Sequence, residues 1–174
     1  MSEAVSKNEK VHIGLGSNIG DRESYIRRAL QAVDALAETR VVSVSSLYAT
    51  EPRIVEDQPE FLNACATIET ALSPRKLLDE LLRIETNLDR VRTRSKGART
   101  IDLDILLWEG RCVDASGLTL PHPGLSERAF VLIPLCEIAP DVCDPSSGCT
   151  VTELRERCPD TGGVDQVPES VPVL

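Results

Sequence analysis

The run Arg99-Thr100-Ile101-Asp102-Leu103-Asp104-Ile105-Leu106-Leu107 constrains this chain more than any other stretch. At the two-residue period of a strand, Asp102, Asp104 and Leu106 share one face, while Leu103, Ile105 and Leu107 share the other. The two carboxylates then stand roughly 7 Å apart, at about 3.3 Å of rise per residue. Two like charges on one face of an apolar strand are costly unless something positive satisfies them. A metal ion between the pair and a polyphosphate would do so. Immediately upstream, Arg90, Arg92, Arg94, Lys96 and Arg99 supply five cations with no acid among them, as a phosphate-binding loop would. The plainer alternative is a charged strand end that follows a solvated loop.

The charge balance limits what that cationic segment can bind. The chain of 174 residues carries a net charge of −9, so the basic segment is a local exception. A cationic patch on an acidic protein suits a small anionic ligand better than a long nucleic acid. No apolar run approaches the roughly 20 residues that span a bilayer. Met1 to Glu9 is polar and lacks the apolar centre of a secretory signal, so the expectation is a cytoplasmic protein with no membrane partner. The six cysteines are not spaced as paired zinc ligands and are expected to be free thiols.

In chain order, a strand from Lys10 to Leu15 enters Gly14-Leu15-Gly16-Ser17-Asn18-Ile19-Gly20. The third glycine comes one residue late for a dinucleotide fingerprint, so this stretch reads as a tight strand-to-helix turn. A first helix is expected from Asp21 to Glu38 and a second strand over Val41–Tyr48. A polar, proline-bounded loop of about nine residues starts at Thr50 and leads to a third strand over Phe61–Ile68. Ser73-Pro74 opens a second helix, with serine as cap and proline at the first helical position. Its apolar stripe is bordered by Glu85, which is either an interface glutamate at a helix end or a member of the same rim as the acids. Further on, the sequence predicts a short hairpin over Arg111–Val113 and Leu118–Leu120, then a break at Pro121-His122-Pro123 and a helix from Ser126 to Ile138. From Pro140 onward Pro, Gly, Ser and acids increase, and beyond Cys158 the composition predicts a poorly ordered tail. The predicted fold class is α+β: a ferredoxin-like βαββαβ core with an added C-terminal hairpin and helices, its antiparallel sheet covered by helices.

Several of these segments occur in an order that resembles a known family. They are Gly14-Leu15-Gly16-Ser17-Asn18; Asp57-Gln58-Pro59-Glu60-Phe61-Leu62-Asn63; Arg90-Val91-Arg92 with Arg99-Thr100-Ile101-Asp102-Leu103-Asp104; and Pro121-His122-Pro123 through Arg128-Ala129-Phe130. Together they resemble the 6-hydroxymethyl-7,8-dihydropterin pyrophosphokinases of folate biosynthesis. The resemblance covers residues 10 to 142 as a catalytic domain and leaves 143 to 174 as an extension, a short helix and then the tail. It implies transfer of pyrophosphate from ATP to the pterin hydroxymethyl oxygen, with release of AMP and two Mg²⁺ ions as cofactors. It also implies that Asp102 and Asp104 are the metal pair, and that Arg90, Arg92 and Arg99 act with them in catalysis. Thr50, Phe61, Asn63 and Phe130 would line the pterin pocket. Glu85, Arg92, Arg99, Ile105, Thr119, His122 and Arg128 would lie on the ATP side. The expected partners are therefore ATP and the pterin, bound by a monomer.

The physical chemistry of these residues agrees. Mg²⁺ takes hard oxygen ligands, arginine forks grip phosphates in pairs, and a flat heterocycle stacks between aromatic rings. Without the resemblance, His122 between two prolines reads as a turn residue, and either phenylalanine alone reads as core. The chain departs from the best-known relatives at Lys96-Gly97-Ala98-Arg99, where they carry a loop tryptophan before Gly-Pro-Arg. It departs again at Leu82, where they can carry glutamine, and at Pro123, where an aromatic can follow the histidine. The basic loop is accordingly expected to close on the nucleotide by charge. Two other classes stay open on the residues alone. One is a polymerase- or cyclase-like palm, which also holds two metals on paired aspartates. The other is a non-catalytic RNA-binding module of similar topology.

Overall fold

A computed structural model describes residues 7–51, 59–90, 99–160 and 162–168. Its sheet is built around β1 (Glu9–Ser17), which pairs antiparallel with β4 (Phe61–Thr70) on one side and β5 (Asp102–Trp108) on the other. β2 (Thr39–Val44) and β3 (Tyr48–Thr50) lie one after the other along the far edge of β4, and β8 (Val164–Gln166) adds to β3. With α1 (Arg22–Asp34) between β1 and β2, and α2 (Pro74–Asn87) between β4 and β5, this is the split βαββαβ arrangement. A separate hairpin, β6 (Val113–Ala115) with β7 (Leu118–Leu120), follows β5. α3 (Ala129–Ile138) and α4 (Val151–Arg157) complete the chain order before β8.

The alternation of β1 divides the molecule into layers. Val11, Ile13 and Leu15 join Ile26, Leu30 and Val33 of α1 and Leu77, Leu81 and Ile84 of α2 in one core. On the opposite face, Leu106, Leu107 and Cys65 pack against Val131, Leu132 and Leu135 of α3 and Leu154 of α4. Both helix starts facing the first core are capped, that of α2 by the Ser73 the sequence predicts. The Asp21 side chain accepts from Ser24 N–H, and that of Ser73 from Lys76 N–H, with Pro74 at the first position.

The structure moves several sequence-predicted boundaries, each for a visible reason. β1 runs on through Gly14 and Gly16 to Ser17, so these two glycines belong to a strand; the turn proper is at Gly20, whose φ is +72°. α1 stops at Asp34 instead of Glu38. Glu38 takes a φ of +54° and reverses the chain into β2, which tertiary pairing with β4 extends back to Thr39. The expected second strand is divided. Ser45 N–H donates to Cys65 C=O at 2.8 Å while its hydroxyl accepts from Cys65 N–H at 2.9 Å, which closes the ladder with a side chain where the backbone leaves it. The hairpin strand lies at Val113–Ala115, and α3 begins at Ala129 because a 3-10 turn takes Leu125–Glu127. The stretch past Cys158 is not featureless, since β8 finds a free edge on β3 there. The expected closure of the basic loop, and Arg92 and Lys96 within it, lie outside the described residues.

Candidate active site

Register brings the acids and the glycines together. Asp102 stands opposite Gly16 and Asp104 opposite Gly14 across β5 and β1; across β1 and β4 the same glycines face Asn63 and Cys65. Two rows therefore cross the sheet with no side chain at the centre. Above them lies a cleft of about 570 Å³, with Asp102 and Asp104 on one side, Phe61, Asn63 and Thr50 on the other, and Phe130, Arg128 and His122 on the wall opposite the sheet. A Cβ on Gly16 would come within 2.9 Å of Asn63 Oδ1, so the bare backbone leaves room for that amide.

The acids are held by arginines. Arg90 Nη1 donates to Asp102 Oδ1 at 2.8 Å and also to the Glu85 carboxylate, and Arg99 Nη1 lies 3.8 Å from Asp102 Oδ2. Glu85 is buried and also accepts from Leu103 N–H at 2.8 Å, so it fixes the start of β5 between the two acids. Burial, followed by the charges of Asp102 and Glu85, pushes Asp104 up to about 7, against the pull of Arg128 and Arg99. That is the electrostatic condition of a site that favours a cation. Among the described residues no cluster of three or more ligating side chains exists. A divalent ion would take the two carboxylates and draw its other oxygens from substrate and water, which is the habit of Mg²⁺.

Asn18 positions the cleft rim. It is buried; its Oδ1 accepts from Arg99 N–H at 2.8 Å, its own N–H donates to Arg99 C=O at 3.1 Å, and its Nδ2 donates to Pro59 C=O at 3.2 Å. Arg99 lies 5.2 Å over the Phe61 ring, and its Nε is buried with no hydrogen-bond partner among the described residues. Such an orphan donor beside two carboxylates suits an oxyanion. Arg128 covers Phe130 in the same way at 5.9 Å. Asn63 Nδ2 donates to Thr50 Oγ1 at 2.6 Å, which turns the amide oxygen toward Gly16. His122 Nδ1 accepts from Gly124 N–H at 3.0 Å, and its N–H binds Leu106 C=O at 2.8 Å. Burial and then Arg128 lower its pKa, while Asp102 raises it.

Of the residues singled out in the sequence, Thr50, Phe61, Asn63, Arg99, Asp102, Asp104, His122, Arg128 and Phe130 line the cleft. Arg90 and Glu85 lie behind it as supports. The Ile105 side chain points into the helix-side core, and Thr119 is exposed on β7, so neither side chain lines it. Sequence reasoning missed Gly14 and Gly16 as the floor, Asn18 as a support, and Glu127 and Asp160 on the lining. The floor had a signal, two glycines at strand period in an apolar run; Asp160 had none.

The chain matches the family model of 7,8-dihydro-6-hydroxymethylpterin-pyrophosphokinase over residues 12–140. It belongs to that family. The 2-amino-4-hydroxy-6-hydroxymethyldihydropteridine pyrophosphokinase of Haemophilus influenzae is 46% identical over 149 residues, covering 86% of this chain and 92% of that one. The Bacillus subtilis pyrophosphokinase is 46% identical over 135 residues, 78% of this chain and 81% of its own. The folic acid synthesis protein fol1 of Schizosaccharomyces pombe is 42% identical over 90% of this chain, which spans only 21% of that longer protein. The fold is similar to that of wild-type Plasmodium falciparum HPPK-DHPS solved with pterin and p-hydroxybenzoate, at a TM-score of 0.68 and 14% identity. That match covers 89% of this chain and 44% of the other. The pyrophosphokinase family transfers pyrophosphoryl groups in folate biosynthesis, and in this chain Asp102, Asp104, Arg99, Arg128, Phe61 and Phe130 line one cleft.

Proposed function

We propose that this chain transfers the β,γ-pyrophosphoryl group of ATP to the hydroxymethyl oxygen of 6-hydroxymethyl-7,8-dihydropterin and releases AMP. One observation carries the reading: within a single cleft a glycine floor lies between the diacid and a slot bounded by Phe61 and Phe130, and the orphaned Arg99 donor sits over the Phe61 ring beside Asp102. The pterin fits the slot, with Phe61 and Phe130 for its faces and the Asn63 amide, held by Thr50, for its polar edge. Its hydroxymethyl group then points along the floor toward Asp102 and Asp104.

Asp102 and Asp104 are the residues that would hold magnesium, which when bound supplies positive charge at the phosphate oxygens. Arg99 and Arg128 release the rings they cover and turn to the phosphates, and Arg92 joins them from the basic loop. Arg90 stays fixed by Glu85 and keeps Asp102 oriented. His122 and Arg128, with the main chain near Ile105 and the β7 edge at Thr119, form the nucleotide side. The pterin oxygen bonds to the β-phosphorus as the bridging oxygen to the α-phosphorus departs with AMP, and the hydroxymethyl proton is lost to water. Preorganised charge along this line is the main catalytic contribution.

Nucleotide product analysis after incubation with ATP, magnesium and the reduced pterin tests this. AMP together with pterin diphosphate is expected. Pyrophosphate release would mean a nucleotidyl-transferring palm, and unchanged ATP would mean a binding module.

A further inference from the structure

The proposed pterin end of the cleft is bounded by pieces of chain far apart in sequence. β3 and β4 bring Thr50, Phe61 and Asn63; the first turn of α3 brings Phe130; and Asp160 lines the same cleft from beyond α4. Asp160 lies outside the family match, which ends at residue 140. Its Oδ2 accepts from Ala129 N–H at 3.1 Å and its Oδ1 from Gly162 N–H at 2.9 Å. Ala129 is the first residue of α3, and the preceding Arg128 makes no side-chain cap. The first N–H groups of a helix need acceptors, and a carboxylate there also meets the positive end of the helix dipole. α3 thus borrows its cap from the C-terminal stretch.

That stretch is also tied to the facing wall. Val164, Asp165 and Gln166 pair with Thr50, Ala49 and Tyr48 of β3, and Val167 N–H donates to Leu47 C=O at 2.9 Å. Gln166 Nε2 adds a bond to Ser46 Oγ at 3.0 Å. One short segment therefore fastens the start of α3 at one end and the β3 edge at the other.

We propose that this C-terminal segment sets the width of the pterin end, with Asp160 as its positioning residue; the inference rests on the pterin reading of that end. Phe130 has a short, rigid side chain that cannot compensate for a shift of the helix start, whereas Arg128 has enough rotatable bonds to reach a phosphate from a displaced backbone. Loosening α3 should therefore affect the pterin far more than the nucleotide.

The test uses the full chain as wild type, Asp160→Ala and Asp160→Asn, with KM for both substrates and calorimetric Kd for the pterin. Asp160→Ala should raise pterin KM and Kd by about three- to tenfold, the range expected from loss of a helix cap, with ATP KM within about twofold. Asp160→Asn keeps an acceptor oxygen and should recover most of that loss. A lowered melting temperature with pterin Kd unchanged, or equal losses for both substrates, would overturn the proposal. If Asp160→Ala does not fold, Asp160→Ser replaces it, since the shorter side chain withdraws the acceptor from Ala129, and the same criteria decide. A wild type that forms AMP while its variants bind pterin normally rejects this inference alone. A wild type that neither binds pterin nor forms AMP rejects the function and this inference together.

Discussion

Asp104 is the residue at which stability and chemistry pull in opposite directions. Burial and the neighbouring carboxylates raise its pKa in the folded chain to about 7, against 3.8 for the free side chain. A raised folded pKa means that the native state binds more protons than the unfolded state between those values, so stability falls as pH rises through that window. Above about pH 7 the full cost of the ionised group is present. In metal-free buffer with a chelator, Asp104→Asn should therefore melt about 2–4 °C above the wild type at pH 8, for each kcal/mol relieved, and match it near pH 4. Thermal melts across that range check this. In magnesium, the same variant and Asp102→Asn should each lower turnover by at least about 100-fold, since in the proposed mechanism each removes a charge that would hold magnesium against the reacting phosphates. Steady-state rates decide it, and a loss under about tenfold in both would exclude the paired-aspartate mechanism.

At the scale of elements, β1 shows what a strand can do by omitting side chains. Gly14 and Gly16 alternate with Ile13 and Leu15, so the face of the strand toward α1 and α2 is core here while the other face is bare at the two glycines. Gly16→Ala would press a methyl against Asn63 Oδ1, which cannot retreat freely because Thr50 holds its Nδ2 at 2.6 Å. The variant should fold normally and lose about three- to tenfold in pterin affinity, the worth of one displaced hydrogen bond, with ATP affinity in the absence of pterin nearly unchanged. Calorimetry with each ligand distinguishes the two. This strand also shows where the sequence could be read and where it could not. The alternation around Asp102 and Asp104 marks the faces of β5 as far as Leu106, beyond which a register shift turns Leu107 to the α3 side, and Ser73-Pro74 marks the start of α2; both signals are local. The glycines read as a turn in the sequence because a loop and a bare strand have the same composition, and only pairing with β4 and β5 separates them. The break between β2 and β3 depends on the Ser45 hydroxyl meeting Cys65, and β8 on an open edge at β3; neither partner is visible from the segment itself.

Across the whole molecule the sheet separates two cores with different duties. The layer of α1 and α2 packs beneath β1 and supplies no side chain to the cleft lining, although Glu85 reaches through to Arg90 and Leu103 N–H. The layer of α3 and α4 covers the other face, and α3 itself carries Phe130 into the cleft just after Arg128. Leu77 of α2 and Leu132 of α3 are both fully buried at 0% exposure, so truncation removes similar apolar contact from each. Leu77→Ala and Leu132→Ala should each destabilise the fold by about 2–5 kcal/mol, the range for a core leucine that leaves a cavity. Their effects on ligand binding should differ. A cavity beneath α3 lets the helix settle toward the sheet and moves Phe130 with it, whereas a cavity beneath α2 lies on the far side of the sheet. At a temperature where both variants remain folded, Leu132→Ala should weaken pterin binding by at least about threefold while Leu77→Ala leaves it within about twofold. Urea titrations paired with calorimetric pterin Kd values on the same preparations measure both quantities. Equal pterin losses in the two variants would mean that the sheet transmits the disturbance and that the layers are not independent.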